Sequence, residues 1–349
     1  MKIKIITIHN IPNFGSVFQT YALSRFLREN GYADVEVVDY NPSYFKPHSL
    51  RSRVAALINL IPYFRRKKKF SAFIRKNIPL TSKSFSSIAE LRDAGLEADV
   101  FIVGGDQLWN IYHACGKDDA YKLTFFKGKK ISYGTSMGQK SFPRRDLEDL
   151  ASKISNFSAI GVRETSSVEL LKSVGINAVP TVDPVYLLPA SHYDRLLPTI
   201  NEPPYLLVYL VTPSRLLEDT IAYLADKYGL KVILCSGFSR KCTCDKFLKD
   251  LGPDEILSYI RHADIVLSSS FHATSFSLIF EKQFFTILPD EHTNERIEDL
   301  LRVRGLSERI ITQSSDLSKE LDRKIDYSTV KPYKANIEDS MKYLKDSLK

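Results

Sequence analysis

The chain has 349 residues, 44% of them hydrophobic and 26% charged, with 49 Lys and Arg against 41 Asp and Glu for a formal net charge of +8. That length suits two domains, and the composition excludes a disordered or collagenous chain. No run reaches the ~18–20 apolar residues of a membrane-spanning helix, and the cysteines at 115, 235, 242 and 244 fall into no zinc or disulfide spacing, so reduced thiols in a cytoplasmic protein are expected.

Residues 1–10, MKIKIITIHN, carry too short an apolar stretch for a signal peptide and no small-residue cleavage site, so a buried first strand over 4–8 is expected. A turn at 11–15 leads into a helix over 16–30 whose inward stripe is Val17, Tyr21, Leu23 and Leu27. Gly31 ends it, and 35–40, VEVVDY, is the next strand, which makes a βαβ unit of a parallel, doubly wound sheet. A basic insertion at 46–70 follows: Lys46, Arg51, Arg53, Arg65, Arg66, Lys67, Lys68 and Lys69 with no acidic residue, around VAALINLIPYF. Two readings stay open for it, a solvated face or a patch for an anionic partner such as a membrane surface, met peripherally, or a polyphosphate-linked acceptor. No nucleic-acid partner is expected, because the stretch belongs to no recognised nucleic-acid module.

A short helix near Leu91 comes next, then strands at 98–105, 130–134 and 159–163, and Val179 to Pro184 ends the first half. From Tyr205 the alternation restarts, with strands at 206–210, 231–235, 265–268 and 284–288 and helices at 216–228, 254–262, 275–280 and 296–304. The expected domains are 1–200, 201–330 and a closing helix within 331–349, divided near Asn201-Glu202-Pro203-Pro204. The fold class read from this is α/β, two Rossmann-type domains with parallel sheets facing a central cleft. Ligands of open parallel sheets sit beyond the carboxyl ends of the strands, which is where candidates are sought.

Those ends carry His9, then Asn13, Gly15 and Ser16 at a helix start; Gly104-Gly105-Asp106-Gln107 with Asn110; Thr135-Ser136-Met137-Gly138; Arg163-Glu164; and Ser268 to Ser275, SSSFHATS. A helix start presents unpaired N–H groups and a partial positive charge, which suits an anion, while Ser and Thr there can cap the helix or donate to a ligand. Asp106, Gln107 and Asn110 suit sugar hydroxyls, and Asp106 reads either as the base for such a hydroxyl or as the cap of its own turn. His9 is a further candidate on that acceptor side, with Asn13, Gly15 and Ser16. The histidines are scattered, and no metal site is expected.

The blocks NFGSVFQTYAL, IVGGDQLWN, ISYGTSMG, GVRE, VDPVYLL, SSSFHATSFSLIFEKQ and RIEDLLRVRGL, in this order over roughly residues 3 to 311, resemble the polysaccharide pyruvyl transferase family. The resemblance implies a GT-B-like fold. It also implies transfer of pyruvate from phosphoenolpyruvate, a co-substrate rather than a cofactor, to sugar hydroxyls in exopolysaccharide or capsule synthesis. The family's catalytic histidine matches His272, as general acid, and the arginine of its V-R-[DE] block matches Arg163, as a clamp on the donor. Ser270 stands where characterised members often carry an arginine, so donor contacts fall to Arg296, Ser269, Ser270, Thr274, Ser275 and the helix amides. The implied partner is a sugar acceptor, free or lipid-linked, met in the cytoplasm or at the inner face of the membrane. Two alternatives share the architecture. A nucleotide-sugar glycosyltransferase would want a carboxylate between His272 and Phe280, where there is none; a non-catalytic assembly scaffold would act through 46–70.

Overall fold

The structure, a computed structural model, describes residues 1–45, 60–210, 212–235, 240–288 and 295–349. Residues 46–59 of the basic insertion therefore lie outside the described residues. The described chain divides into two compact units, one of residues 1–45, 71–188 and 333–349, the other of 60–70 and 189–332. The chain passes between them at 188/189, ahead of the Pro203-Pro204 linker.

In the first unit the described strands are β1 (Lys2–Ile6), β2 (Asp34–Tyr40), β3 (Leu80–Phe85), β4 (Val100–Gly104), β5 (Lys129–Thr135), β6 (Ala159–Val162) and β7 (Val179–Pro180), in the order β3-β2-β1-β4-β5-β6-β7. All pairs are parallel. β4, VFIVG, is buried at every position, as a central strand covered on both faces must be. The helices of this half are α1 (Phe14–Glu29), α2 (Leu60–Asn77, shared between the units), α3 (Ile88–Asp93), α4 (Arg144–Ile154) and α5 (Thr165–Lys172). α1 is capped by Asn13, whose Oδ1 accepts from Gly15 N at 3.0 Å, and it stops at Asn30 before Gly31 with φ of +92°.

The second unit repeats the plan. Its described strands are β8 (Tyr205–Tyr209), β9 (Lys231–Cys235), β10 (Lys246–Leu248), β11 (Ile265–Ser268), β12 (Gln283–Ile287) and β13 (Ile310–Ile311), parallel in the order β10-β9-β8-β11-β12-β13. Its helices are α6 (Ala190–Asp194), α7 (Arg215–Tyr228), α8 (Pro253–His262), α9 (Phe271–Ile279), α10 (Glu295–Arg304) and α11 (Leu317–Glu320). α12 (Lys334–Leu348) belongs to the first unit, where Tyr343 donates to the Ser132 carbonyl at 2.8 Å and Ser340 accepts from Val182 N at 2.9 Å.

Each sheet runs outward in both directions from its first strand, the Rossmann order. The reversal falls between β1 and β4 in one unit and between β8 and β11 in the other. At such a point the two crossovers leave on opposite faces and open a crevice beyond the strand ends. The chain just beyond the strand ends at these two places carries Asp106, after β4, and His272, after β11.

Candidate active site

At the first reversal, the loop after β4 is built from residues without room for alternatives. A Cβ on Gly104 would lie 2.5 Å from the Tyr133 carbonyl oxygen, and one on Gly105, at φ +70°, would lie 1.6 Å from Gln19 Oε1. Gln19 fills that space because its amide nitrogen holds the end of β1 to α1, donating to Thr7 Oγ1 at 2.8 Å and the Ser16 carbonyl at 3.0 Å. Asp106 follows with φ of +55°, a left-handed conformation that strains a residue with a side chain. Its carboxylate accepts from the Ser16 hydroxyl and from Gln107 N at 2.9 Å, and its carbonyl accepts from Ser136 N at 2.8 Å. Asp106 and Ser16, separated by 90 positions in sequence, thus meet across the crevice of the first unit.

The neighbouring candidates play supporting parts. Asn110 is buried, donates to Gln107 Oε1 at 2.6 Å and accepts from Tyr112 N at 3.1 Å. Its amide thus helps to fix Gln107 and the turn. His9 is buried too, with Nε2 3.0 Å from Asp39 Oδ1 and Nδ1 3.3 Å from the Thr7 carbonyl oxygen. Burial pushes the Asp39 carboxyl up, but the hydrogen bonds from His9 and Asn41 outweigh it and hold the group below the ordinary carboxylate range.

Arg163, expected as a clamp on the donor, is buried against Asp183 within the first unit. Its Nη2 lies 2.6 Å from Asp183 Oδ2, with side chains only 4% and 0% exposed. The other Asp183 oxygen accepts from Val185 N at 3.0 Å and caps the 3₁₀ turn Pro184–Leu187. Glu164 is buried beside it, accepting from the Ser136 hydroxyl, from Ser167 Oγ at 2.9 Å and from Met137 N at 3.2 Å. Asp39, Asp183 and Gln19 are the residues that sequence reasoning did not single out. The Asp183-Pro184 pair, a capping residue before a helix-start proline, was the readable signal for one of them.

At the second reversal, serines tie the loops together. Ser268 donates to the Tyr209 carbonyl at 2.7 Å and accepts from Ser270 N at 3.0 Å, while Ser269 donates to the carbonyl of Leu210, another non-glycine residue at positive φ (+46°). Ser270 caps α9, accepting from Ala273 N at 3.4 Å. The helix therefore starts at Phe271, four positions before the 275 expected, and His272 is its second residue rather than part of a loop. The imidazole packs edge-on against the Phe271 ring at 5.3 Å between centroids and is 6% exposed. From the first turn of α10, Arg296 places its guanidinium carbon 5.5 Å from the Phe271 ring centroid. No acidic residue occupies the first turn of α9. Thr274 and Ser275, expected among the donor contacts, are buried, with Thr274 Oγ1 3.3 Å from Thr286 Oγ1.

Among the described residues no group of three or more His, Cys, Asp or Glu is gathered as a metal site, and no helix is long and apolar enough to cross a membrane.

A family model for polysaccharide pyruvyl transferases matches residues 13–291. No curated protein matches the chain. Among solved structures, the UDP-GlcNAc 2-epimerase of Methanocaldococcus jannaschii aligns with a TM-score of 0.60 at 14% identity over 99% of this chain and 100% of that one. The corresponding enzyme of Rickettsia bellii gives 0.53 at 11% over 99% and 96%. A UDP-N-acetylglucosamine 2-epimerase-like structure from Listeria monocytogenes gives 0.52 at 10% over 100% and 90%. At such identities the likeness concerns the fold alone: GT-B-like, two Rossmann-type α/β units each on a parallel sheet.

Proposed function

The chain belongs to the polysaccharide pyruvyl transferase family, and on that premise we propose that it transfers pyruvate from phosphoenolpyruvate to two hydroxyls of a sugar, as a ketal, in surface-polysaccharide synthesis. The observation that carries the reading is the start of α9, where an imidazole, a capping serine, helix N–H groups and a nearby guanidinium occupy one strand end. Phosphoenolpyruvate brings a phosphate and a carboxylate, and helix amides and an arginine are the groups that receive such anions. Arg296 supplies the cation that Ser270 does not.

In the proposed reaction His272, as imidazolium, gives its proton to the methylene carbon, which becomes the methyl of the product. The adjacent carbon gains oxocarbenium character and a sugar hydroxyl adds to it, losing its proton. The C–O bond to phosphate then breaks, a second hydroxyl closes the ketal, and its proton leaves with phosphate, so the two hydroxyl protons balance the one on carbon and the one on hydrogen phosphate. In the first unit, Asp106 is the proposed hydrogen-bond acceptor for a sugar hydroxyl, with Ser16 and Gln107 beside it. Arg163 is assigned a positioning role through Asp183.

Phosphate release from phosphoenolpyruvate, measured with a panel of diphosphate-linked sugars, tests the reading. Release is expected for the wild type and its loss for His272→Gln, a variant chosen because the enclosed ring contributes packing that alanine would remove. If nucleotide sugars raise the melting temperature and phosphoenolpyruvate does not, the donor assignment fails.

A further inference from the structure

We propose that the outward face of α2 formed by Ile61, Phe64, Arg65 and Lys68 docks this protein onto an anionic lipid bilayer. At 100° per residue these four side chains fall within an arc of about 100°. The other side of the helix is occupied within the second unit. Lys69 Nζ bonds both Glu255 oxygens, at 2.7 and 2.9 Å, Phe70 is buried, and the Arg66 guanidinium carbon lies 5.5 Å from the Phe70 ring centroid. Ile61 and Phe64 are left 64% and 55% exposed, one turn apart, which makes them two of the few large apolar side chains so exposed among the described residues.

Single exposed apolar residues are ordinary; a pair on one face beside cations is not. Arg65, Lys67 and Lys68 are all exposed, and α2 carries no acidic residue from Leu60 to Asn77. Asp250 Oδ2 lies 3.8 Å from Arg65 Nη1, a loose contact with a guanidinium that is 68% exposed. Charge complementarity selects an anionic surface. The apolar pair selects a lipid one: Ile61 and Phe64 gain by entering the boundary between headgroups and acyl chains while the cations stay at the phosphates. A nucleic acid would use the cations but offers an aliphatic side chain nothing comparable. The inference is independent of the donor chemistry at α9.

Co-sedimentation of the full chain with vesicles of phosphatidylcholine alone or mixed with phosphatidylglycerol decides the matter. Binding is expected to the anionic vesicles and not to neutral ones, and to weaken about tenfold or more both for Ile61→Ser with Phe64→Ser and for Lys67→Ser with Lys68→Ser. These positions are exposed, and unchanged far-ultraviolet circular dichroism and thermal melting verify that each variant is folded. Absence of binding to anionic vesicles, or equal binding by the Ile61/Phe64 variant, overturns the proposal. So does retention on single-stranded RNA that needs the lysines but not the apolar pair.

Discussion

The buried pair Arg163–Asp183 yields the sharpest structural prediction, because its energetics separate a scaffold role from a donor-clamp role. At 2.6 Å and an effective dielectric of 20, the gross attraction is about 6 kcal/mol. Much of that is offset by desolvating both groups, but removing only one leaves the other charge buried, which costs about 3–5 kcal/mol. Asp183→Asn keeps the shape and removes the charge, so it is expected to destabilise the first unit by that amount. With a urea slope of about 2 kcal/mol/M, the midpoint falls by about 1.5–2.5 M. Trp109, the sole tryptophan, is fully buried in the first unit and reports its unfolding separately from the second. Replacing both partners with leucine restores at least half of the loss, because no lone charge is then left inside. A midpoint for Asp183→Asn within about 0.5 M of wild type would refute the argument that this pair holds the strand ends.

Three further outcomes follow from the first unit and the thiols. Gly105→Ala must move Gln19 as well as adopt a left-handed backbone, so a loss of about 2–4 kcal/mol is expected in the same fluorescence titration, and a neutral result would contradict the close approach. The Asp39 carboxyl titrates below its unfolded value, so its contribution is complete above about pH 4 and disappears as pH falls through the folded value. The stability gap between wild type and Asp39→Asn therefore narrows on acidification, and a gap that widened would reverse the sign of the His9 and Asn41 interactions. Burial pushes the Cys115, Cys235 and Cys242 thiols up to about 12, so at pH 8 the native protein should label rapidly at Cys244 alone. Rapid labelling of a second thiol would contradict the packing around it.

The alternation of strands and helices was legible because buried parallel strands are continuous apolar runs: 231–235 and 265–268 coincide with β9 and β11. β3, LTSKSF, escaped notice because an edge strand with exposed Ser and Lys has neither an apolar run nor alternation. The start of α9 precedes the expected 275 because a cluster of hydroxyl residues reads as loop, whereas Ser270 caps the helix. The strand-end positions of Asp106 and His272 followed from the pattern; their partners did not. Ser16 with Asp106 and His9 with Asp39 are 90 and 30 residues apart, and only the register of the sheet joins them. Likewise the return of α12 to the first unit, through Tyr343 and Ser132, leaves no local trace in sequence.

The central claim is that the α9 start with His272 and Arg296 receives phosphoenolpyruvate. Calorimetric titration of phosphoenolpyruvate into the wild type, Arg296→Gln and His272→Gln tests it most directly. The account predicts saturable binding that weakens about tenfold or more in Arg296→Gln, the loss of one charge-assisted contact, with the His272→Gln protein still binding but unable to release phosphate. Heat-silent mixing for the wild type, or affinity unchanged by the loss of Arg296, would contradict it.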